Sequence, residues 1–146
     1  MAYTESKING GSGGADFRDT ASRLKRLTSI MVRAAKHVDA IQCTWMLEDG
    51  EGTIETGKQH GGNGGQVNNI SLAPGELIVK VTGTYDWVLN QISFTTNQGH
   101  VFGPFGEGGG TQFTIDLPRR TYVGGFVGRE GDYIDAIGVL YGEPSY

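Results

Sequence analysis

The chain has 146 residues, 25 of them glycine and only four proline, with 12 Lys and Arg against 16 Asp and Glu for a net charge of −4. Glycine without a strict three-residue period excludes collagen, and 10% aromatic residues exclude an ordinary disordered chain. The single Cys43 excludes an intramolecular disulfide, no apolar run reaches the ~18 residues of a membrane-spanning helix, and the acidic balance argues against general nucleic-acid binding.

In chain order, residues 1–15 are polar and lack the apolar stretch of a signal peptide, which sets the expectation of a cytoplasmic or nonclassically released protein. This segment ends in the glycine cluster Gly10-Gly11-Ser12-Gly13-Gly14. Thr20–Ala35 reads as a strand rather than a helix because of its β-branched Ile30-Met31-Val32 run. Ile41, Cys43, Trp45 and Leu47 then alternate with polar neighbours, the period of a half-buried strand. Gly52–Gln59 nearly spells a phosphate-binding loop, but it lacks the magnesium-holding hydroxyl and no helix follows, so it is read as a hairpin. A second cluster, Gly61-Gly62-Asn63-Gly64-Gly65, precedes a turn at Ala73-Pro74-Gly75 and an alternating strand over Glu76–Thr84. Ile92 and Phe94 continue the period of two. The third cluster is Gly106-Glu107-Gly108-Gly109-Gly110, and Ile137, Val139 and Tyr141 mark the last strand. Glycine costs about 1 kcal/mol against alanine inside a helix, so this density belongs to turns between strands.

The clusters are in register with a second marker. A polar residue between apolar ones follows the last glycine by 25 residues in every copy: Asp39 after Gly14, Asn90 after Gly65 and Asp135 after Gly110. Three β units of 45–51 residues therefore repeat along the chain. No linker interrupts them, and one domain over residues 1–146 is expected, as a pseudo-threefold prism or trefoil.

The residues give little support to an enzyme. His37, His60 and His100 are isolated, so no zinc-type pair is present. Cys43 alternates inward with Ile41 and Trp45, the placement of an inert buried thiol. Asp132 and Asp135 lie close together, but simple alternation gives no reason to expect either to be buried with a raised pKa. The glycine clusters make better sense as a hydroxyl reader. Glycine lets the backbone approach a ligand and present its N–H donors, and a nearby carboxylate supplies acceptors. Sugar hydroxyls need both.

The sequence resembles the jacalin-related lectins over roughly residues 8–142. The resemblance is carried by Gly10–Gly14 with Phe17, Val38-Asp39-Ala40-Ile41, His60–Gly65, Pro74-Gly75-Glu76, Ile92–Asn97, Gly103-Pro104-Phe105-Gly106 and Gly125–Gly138. It implies an all-β fold, β-prism I, of three four-stranded Greek-key sheets, and carbohydrate binding without catalytic residues, metal or cofactor. It also implies a site in which the amides of Gly14, Asp132 and Tyr133 donate to the sugar. The Asp135 carboxylate accepts from two hydroxyls, Gly131 allows the turn, and Tyr133 lends an apolar face.

Pseudo-symmetry pairs each glycine cluster with the Asp loop of the preceding unit. A second carbohydrate site would use Gly65, Lys36, His37 and Asp39, with Ala35 in place of the loop glycine putting its turn in question. A third would pair Gly110 with Asp86, Trp87, Val88, Leu89 and Asn90. It is not expected to bind, because Asn90 offers one acceptor oxygen rather than two. Trp87 is read as a packing or interface residue.

The family's galactose-preferring members are cleaved beside the first glycine loop. The intact Met1–Asn9 segment therefore implies the mannose/glucose-preferring type. The expected partners are mannose- or glucose-containing glycans, bound by a homo-oligomer (dimer or tetramer), with no nucleic acid and no membrane insertion. The alternative is a protein-interaction or anionic-glycan module on the same scaffold, suggested by Arg23, Lys25, Arg26, Arg33 and Lys36. Salt would weaken that module strongly and neutral-sugar binding little.

Overall fold

The computed structural model describes residues 3–145; Met1, Ala2 and Tyr146, at the ends of the expected domain, lie outside the described residues. Every regular element is a strand: β1 (Thr4–Glu5), β2 (Asn9–Gly10), β3 (Ala15–Arg18), β4 (Lys25–Ala34), β5 (Val38–Leu47), β6 (Ile54–Thr56) and β7 (His60–Gly61). They continue as β8 (Gln66–Ser71), β9 (Ile78–Tyr85), β10 (Leu89–Thr96), β11 (Val101–Phe105), β12 (Thr111–Asp116), β13 (Tyr122–Glu130) and β14 (Ile134–Gly142). The region weighed between helix and strand is strand β4, as its β-branched residues dictate. The phosphate-loop lookalike is a hairpin, with β6 folding back on β5.

Three antiparallel sheets form the three faces of a prism. Their four-strand paths run β1-β14-β13-β3, β6-β5-β4-β8 and β11-β10-β9-β12, with the short β2 and β7 added on β14 and β5. The last two are Greek keys: a hairpin, a third strand beside it, and a fourth that returns to the first. The first sheet has the same layout but takes its central hairpin from residues 122–142 and its flanks from residues 4–18.

Alternation drives this arrangement. On β5, Ile41, Cys43 and Trp45 are buried while Gln42 and Thr44 are half-buried, so one face of each sheet turns to the common interior. There Ile30, Ile41, Ile92, Phe94, Phe126, Ile134 and Ile137 meet in one core, and Phe94 and Phe126 pack edge to face with centroids 5.9 Å apart.

Trp45 makes a polar bond across the core. The register slips between Val123 and Gly125, leaving Gly124 unpaired on β14, and its carbonyl accepts from Trp45 Nε1 at 2.7 Å. Trp45→Phe leaves that buried carbonyl without a donor. It is expected to cost about 1–3 kcal/mol, read as a lower urea midpoint at unchanged slope.

Candidate binding site

The hairpin turns β4–β5, β9–β10 and β13–β14 gather at one end of the prism, and each lies against a glycine cluster. The Asp135 carbonyl, at the start of β14, accepts from Gly11 N at 2.9 Å, and the Asp39 carbonyl accepts from Gly62 N at 2.9 Å. The carboxylates lie beneath the same loops. A Cβ placed on Gly13 would sit 2.9 Å from Asp135 Oδ2, and one on Gly14 would sit 2.8 Å from Oδ1. At the second loop the corresponding distances from Gly64 to Asp39 Oδ2 and from Gly65 to Oδ1 are both 2.7 Å. Gly14 (φ +75°) and Gly65 (φ +74°) also have backbone angles that side chains disfavour, so neither glycine is replaceable.

Asp135 and Asp39 are only 8% and 7% exposed, and no side chain donates to either among the described residues. Burial pushes both carboxyls above the ordinary aspartate range. At Asp135 the Arg129 charge opposes this and Asp132 adds to it; at Asp39 the His37 and Arg33 charges oppose it. Asp135 therefore departs from the sequence expectation. Alternation describes the strand but not the glycine loop that folds over its first residues.

The three turns are alike in backbone. Gly131 N donates to the Tyr133 carbonyl at 2.9 Å, Ala35 N to His37 at 3.0 Å and Asp86 N to Val88 at 3.0 Å. Gly131 does not have positive φ, so the turn does not need glycine, and the question raised by Ala35 is answered: its turn forms. What changes is space. A Cβ at Gly131 would lie 3.5 Å from Asp135 Oδ1, in ordinary contact. The first site is open at this position, Ala35 adds one methyl to the second, and Asp86 fills the third.

A Cβ on Gly110 would lie 2.5 Å from Asp86 Oδ1. Asn90 Nδ2 donates to Asp86 Oδ2 at 3.1 Å and to the Gly109 carbonyl at 2.9 Å. Asn90 Oδ1 lies 2.7 Å from His37 Nδ1, which therefore carries the proton. The third copy is occupied by its own side chains.

Among the described residues no protein group accepts from the amides of Gly14, Asp132 and Tyr133, nor from those of Gly65, Lys36 and His37. Two of the three loops thus pair free N–H donors with a buried carboxylate. Tyr133 is also a packing residue. Its ring packs edge to face on His37 at 5.0 Å and on Trp87 at 5.8 Å, joining the three turns at the prism end. Trp87, read as a packing or interface residue, packs against His37 and Tyr133 and is 62% exposed. A groove of about 590 Å³ between β1 and β12 includes none of these residues.

Arg129 was not singled out from the sequence. Its Nε and Nη2 donate to the Gly13 and Gly14 carbonyls at 2.8 and 2.7 Å, and Nη1 pairs with Asp16 at 2.7 Å, so it holds the first loop. Arg33 donates to the Asn63 carbonyl at 3.2 Å in the second. The available signal was an arginine two residues before the turn in both copies. Of the basic residues noted from the sequence, Lys25 is paired with Glu55 and lies over the Trp45 ring, far from a free cation.

Residues 6–140 match the jacalin-like lectin domain family. The mannose/glucose-specific lectin of Parkia pendula is 31% identical over 140 residues; the match covers 90% of this chain but only 30% of that protein's length. Griffithsin, from Griffithsia sp., is 32% identical over 133 residues, covering 90% of this chain and 92% of griffithsin. The solved structure of a mannose-binding jacalin-related lectin from Ananas comosus has a TM-score of 0.84 at 29% identity, covering 97% of this chain and 98% of that one. By its sequence and its three-sheet β-prism, the chain belongs to the jacalin-like lectin family.

Proposed function

We propose that this domain binds mannose- and glucose-containing glycans, without chemistry on them. It would do so at a first site of Gly14, Gly131, Asp132, Tyr133 and Asp135 and a second of Gly65, Lys36, His37 and Asp39. The observation that carries the reading is the twice-repeated pairing of unengaged amides with a buried carboxylate to which no described side chain donates. A pyranose supplies what both lack: oxygens for the N–H groups and hydroxyl donors for the carboxylate. The names of the Parkia and Ananas proteins support mannose as the sugar. Each site alone is expected to bind at about the millimolar level, near −4 kcal/mol. Two sites per chain, multiplied in a homo-oligomer, would raise avidity.

Titration with methyl α-mannoside and methyl α-galactoside, followed by amide NMR, tests this. The expected result is mannoside-selective shifts at Gly14, Asp132 and Tyr133 and at Gly65, Lys36 and His37. A galactoside preference, or shifts confined to other surfaces, overturns it.

The affinity should also depend on pH. A carboxyl whose folded pKa lies above its unfolded one favours the fold when protonated. That contribution is full below the unfolded value and fades as pH rises through the folded one. Sugar binding runs the other way, because it needs the ionised acceptor. Mannoside affinity at Asp135 is expected to fall on acidification at a pH above the ordinary aspartate range.

A further inference from the structure

The two open sites share a backbone but differ in charge. In the first, Arg129 stands opposite Asp16 in the β13–β3 register and is neutralised by it, and Asp132 lies in the turn, where its charge acts on Asp135. In the second, Arg33 stands opposite Val67, an exposed apolar residue, and Lys36 occupies the turn position of Asp132. Two carboxylates of the first site are thus a valine and a lysine in the second. At these matching positions the first site carries three carboxylates, Asp135 itself with Asp16 and Asp132, and one guanidinium, that of Arg129. At the matching positions of the second site Asp39 is the one carboxylate, with the Arg33 guanidinium, the Lys36 ammonium and His37; Glu130, which accepts from Gly61 N at 2.9 Å, is paired with His60, and Glu107 adjoins Lys36 through its backbone N–H. Among the described residues Arg33 has no carboxylate partner, its Nε is buried without a hydrogen bond, and Asp39 Oδ1 is buried beneath Gly65 without a donor. The second site therefore has an acceptor waiting for hydroxyls within a cationic rim.

We propose that the Asp39 site selects an anionic pyranoside, one carrying a sulfate, phosphate or carboxylate group, which the Asp135 site disfavours. Asp39 and the amides of Gly65, Lys36 and His37 take the ring hydroxyls, while Lys36 and Arg33 face the anionic substituent. This rests on the reading of the two loops as sugar sites. Exposed charges of this kind are worth roughly a fivefold change in affinity at low salt, diminishing as salt is added.

The test is site-resolved amide NMR with methyl α-mannoside, its 2-, 3- and 6-sulfates, and inorganic sulfate. At least one sulfate ester should bind the Asp39 site about fivefold more tightly than the Asp135 site, and this preference should shrink in about 0.5 M salt. Val67→Asp, which gives Arg33 the carboxylate partner that Arg129 has, should erase the preference, and Lys36→Asp should reverse it. Val67 is half exposed, so its replacement leaves the core intact. Equal binding of all three esters at the two sites, or a preference that survives both variants, overturns the proposal. Inorganic sulfate binding as tightly as the esters overturns the role of the pyranose. If neutral mannoside shifts neither loop, the sugar reading itself fails. If it shifts both while the esters do not discriminate, only the charge selection fails.

Discussion

Asp135→Ala is expected to abolish detectable mannoside binding at the first site while leaving the fold as stable as before, or more so. Both carboxylate oxygens lie directly under the glycine loop, Oδ2 beneath Gly13 and Oδ1 beneath Gly14. Hydrogen bonds to a charged group are worth about 1.5–3 kcal/mol each, so losing two removes roughly 3–6 kcal/mol of binding from a millimolar interaction. The fold does not depend on this side chain, because no other described side chain donates to it and burial already disfavours its ionised form. The loop is anchored instead by the Asp135 carbonyl, which alanine retains, and by Arg129. Calorimetric titration and thermal melting on the same variant separate the two effects. A melting point several degrees lower would show that Asp135 is structural and undermine its assignment to binding.

Asp19→Ala should have the opposite profile, a large loss of stability at a position outside the residues of both candidate sites. Asp19 lies just after β3 and is 6% exposed. Its Oδ2 accepts from Phe126 N at 2.9 Å and from Cys43 Sγ at 3.5 Å, and its Oδ1 meets His60 Nε2 at 2.7 Å. On its other side, His60 Nδ1 faces Glu130 Oε2 at 3.3 Å, and Phe17 stacks on the ring at 4.1 Å. Burial works to lower the His60 pKa, but the hydrogen bonds and charges of Asp19 and Glu130 outweigh it and raise the value above the ordinary histidine range. Removing Asp19 strands the buried His60 Nε2 and the Phe126 N–H. Breaking such a buried pair costs about 3–5 kcal/mol. For a chain of this size that lowers the melting point by roughly 10 °C.

The pH dependence gives an independent check. His60 gains a proton's worth of stability in the fold, fully present below its unfolded pKa near 6.5 and lost as pH rises through the raised folded value. Wild-type stability should decline above that point, and Asp19→Ala should flatten the decline. A variant as stable as wild type at pH 6 would show that the cluster is not an ion network.

What was legible in the sequence follows from what repeats. The 25-residue offset between glycine loop and Asp or Asn located both carboxylates, both loops and the weak third copy. Alternation located the strands and the inward thiol of Cys43. What could not be read depends on cross-strand register and on loops folding over strands. Arg129 meets Asp16, and Arg33 meets Val67, only through the pairing of β13 with β3 and β4 with β8. The burial of Asp135 comes from a segment more than a hundred residues earlier in the chain. The filling of the third copy by Asp86 required knowing that its turn places a side chain toward Gly110. His60 looked isolated because its partners, Asp19 and Glu130, sit at opposite ends of the sequence.

The divided first sheet has a consequence for the order of assembly. The second site draws on residues 33–65, a nearly contiguous stretch that closes as soon as β4, β5 and β8 pair. The first site joins Gly14 to Asp135, and its sheet takes strands from both ends of the sequence. Loop closure over such a span is slow, and contacts between distant residues wait for the chain between them. During synthesis β3 and the first glycine loop emerge early and remain without a sheet until β13 and β14 leave the ribosome. The loop pair with the more open turn is the last to form, and the Asp39 pair is complete before it.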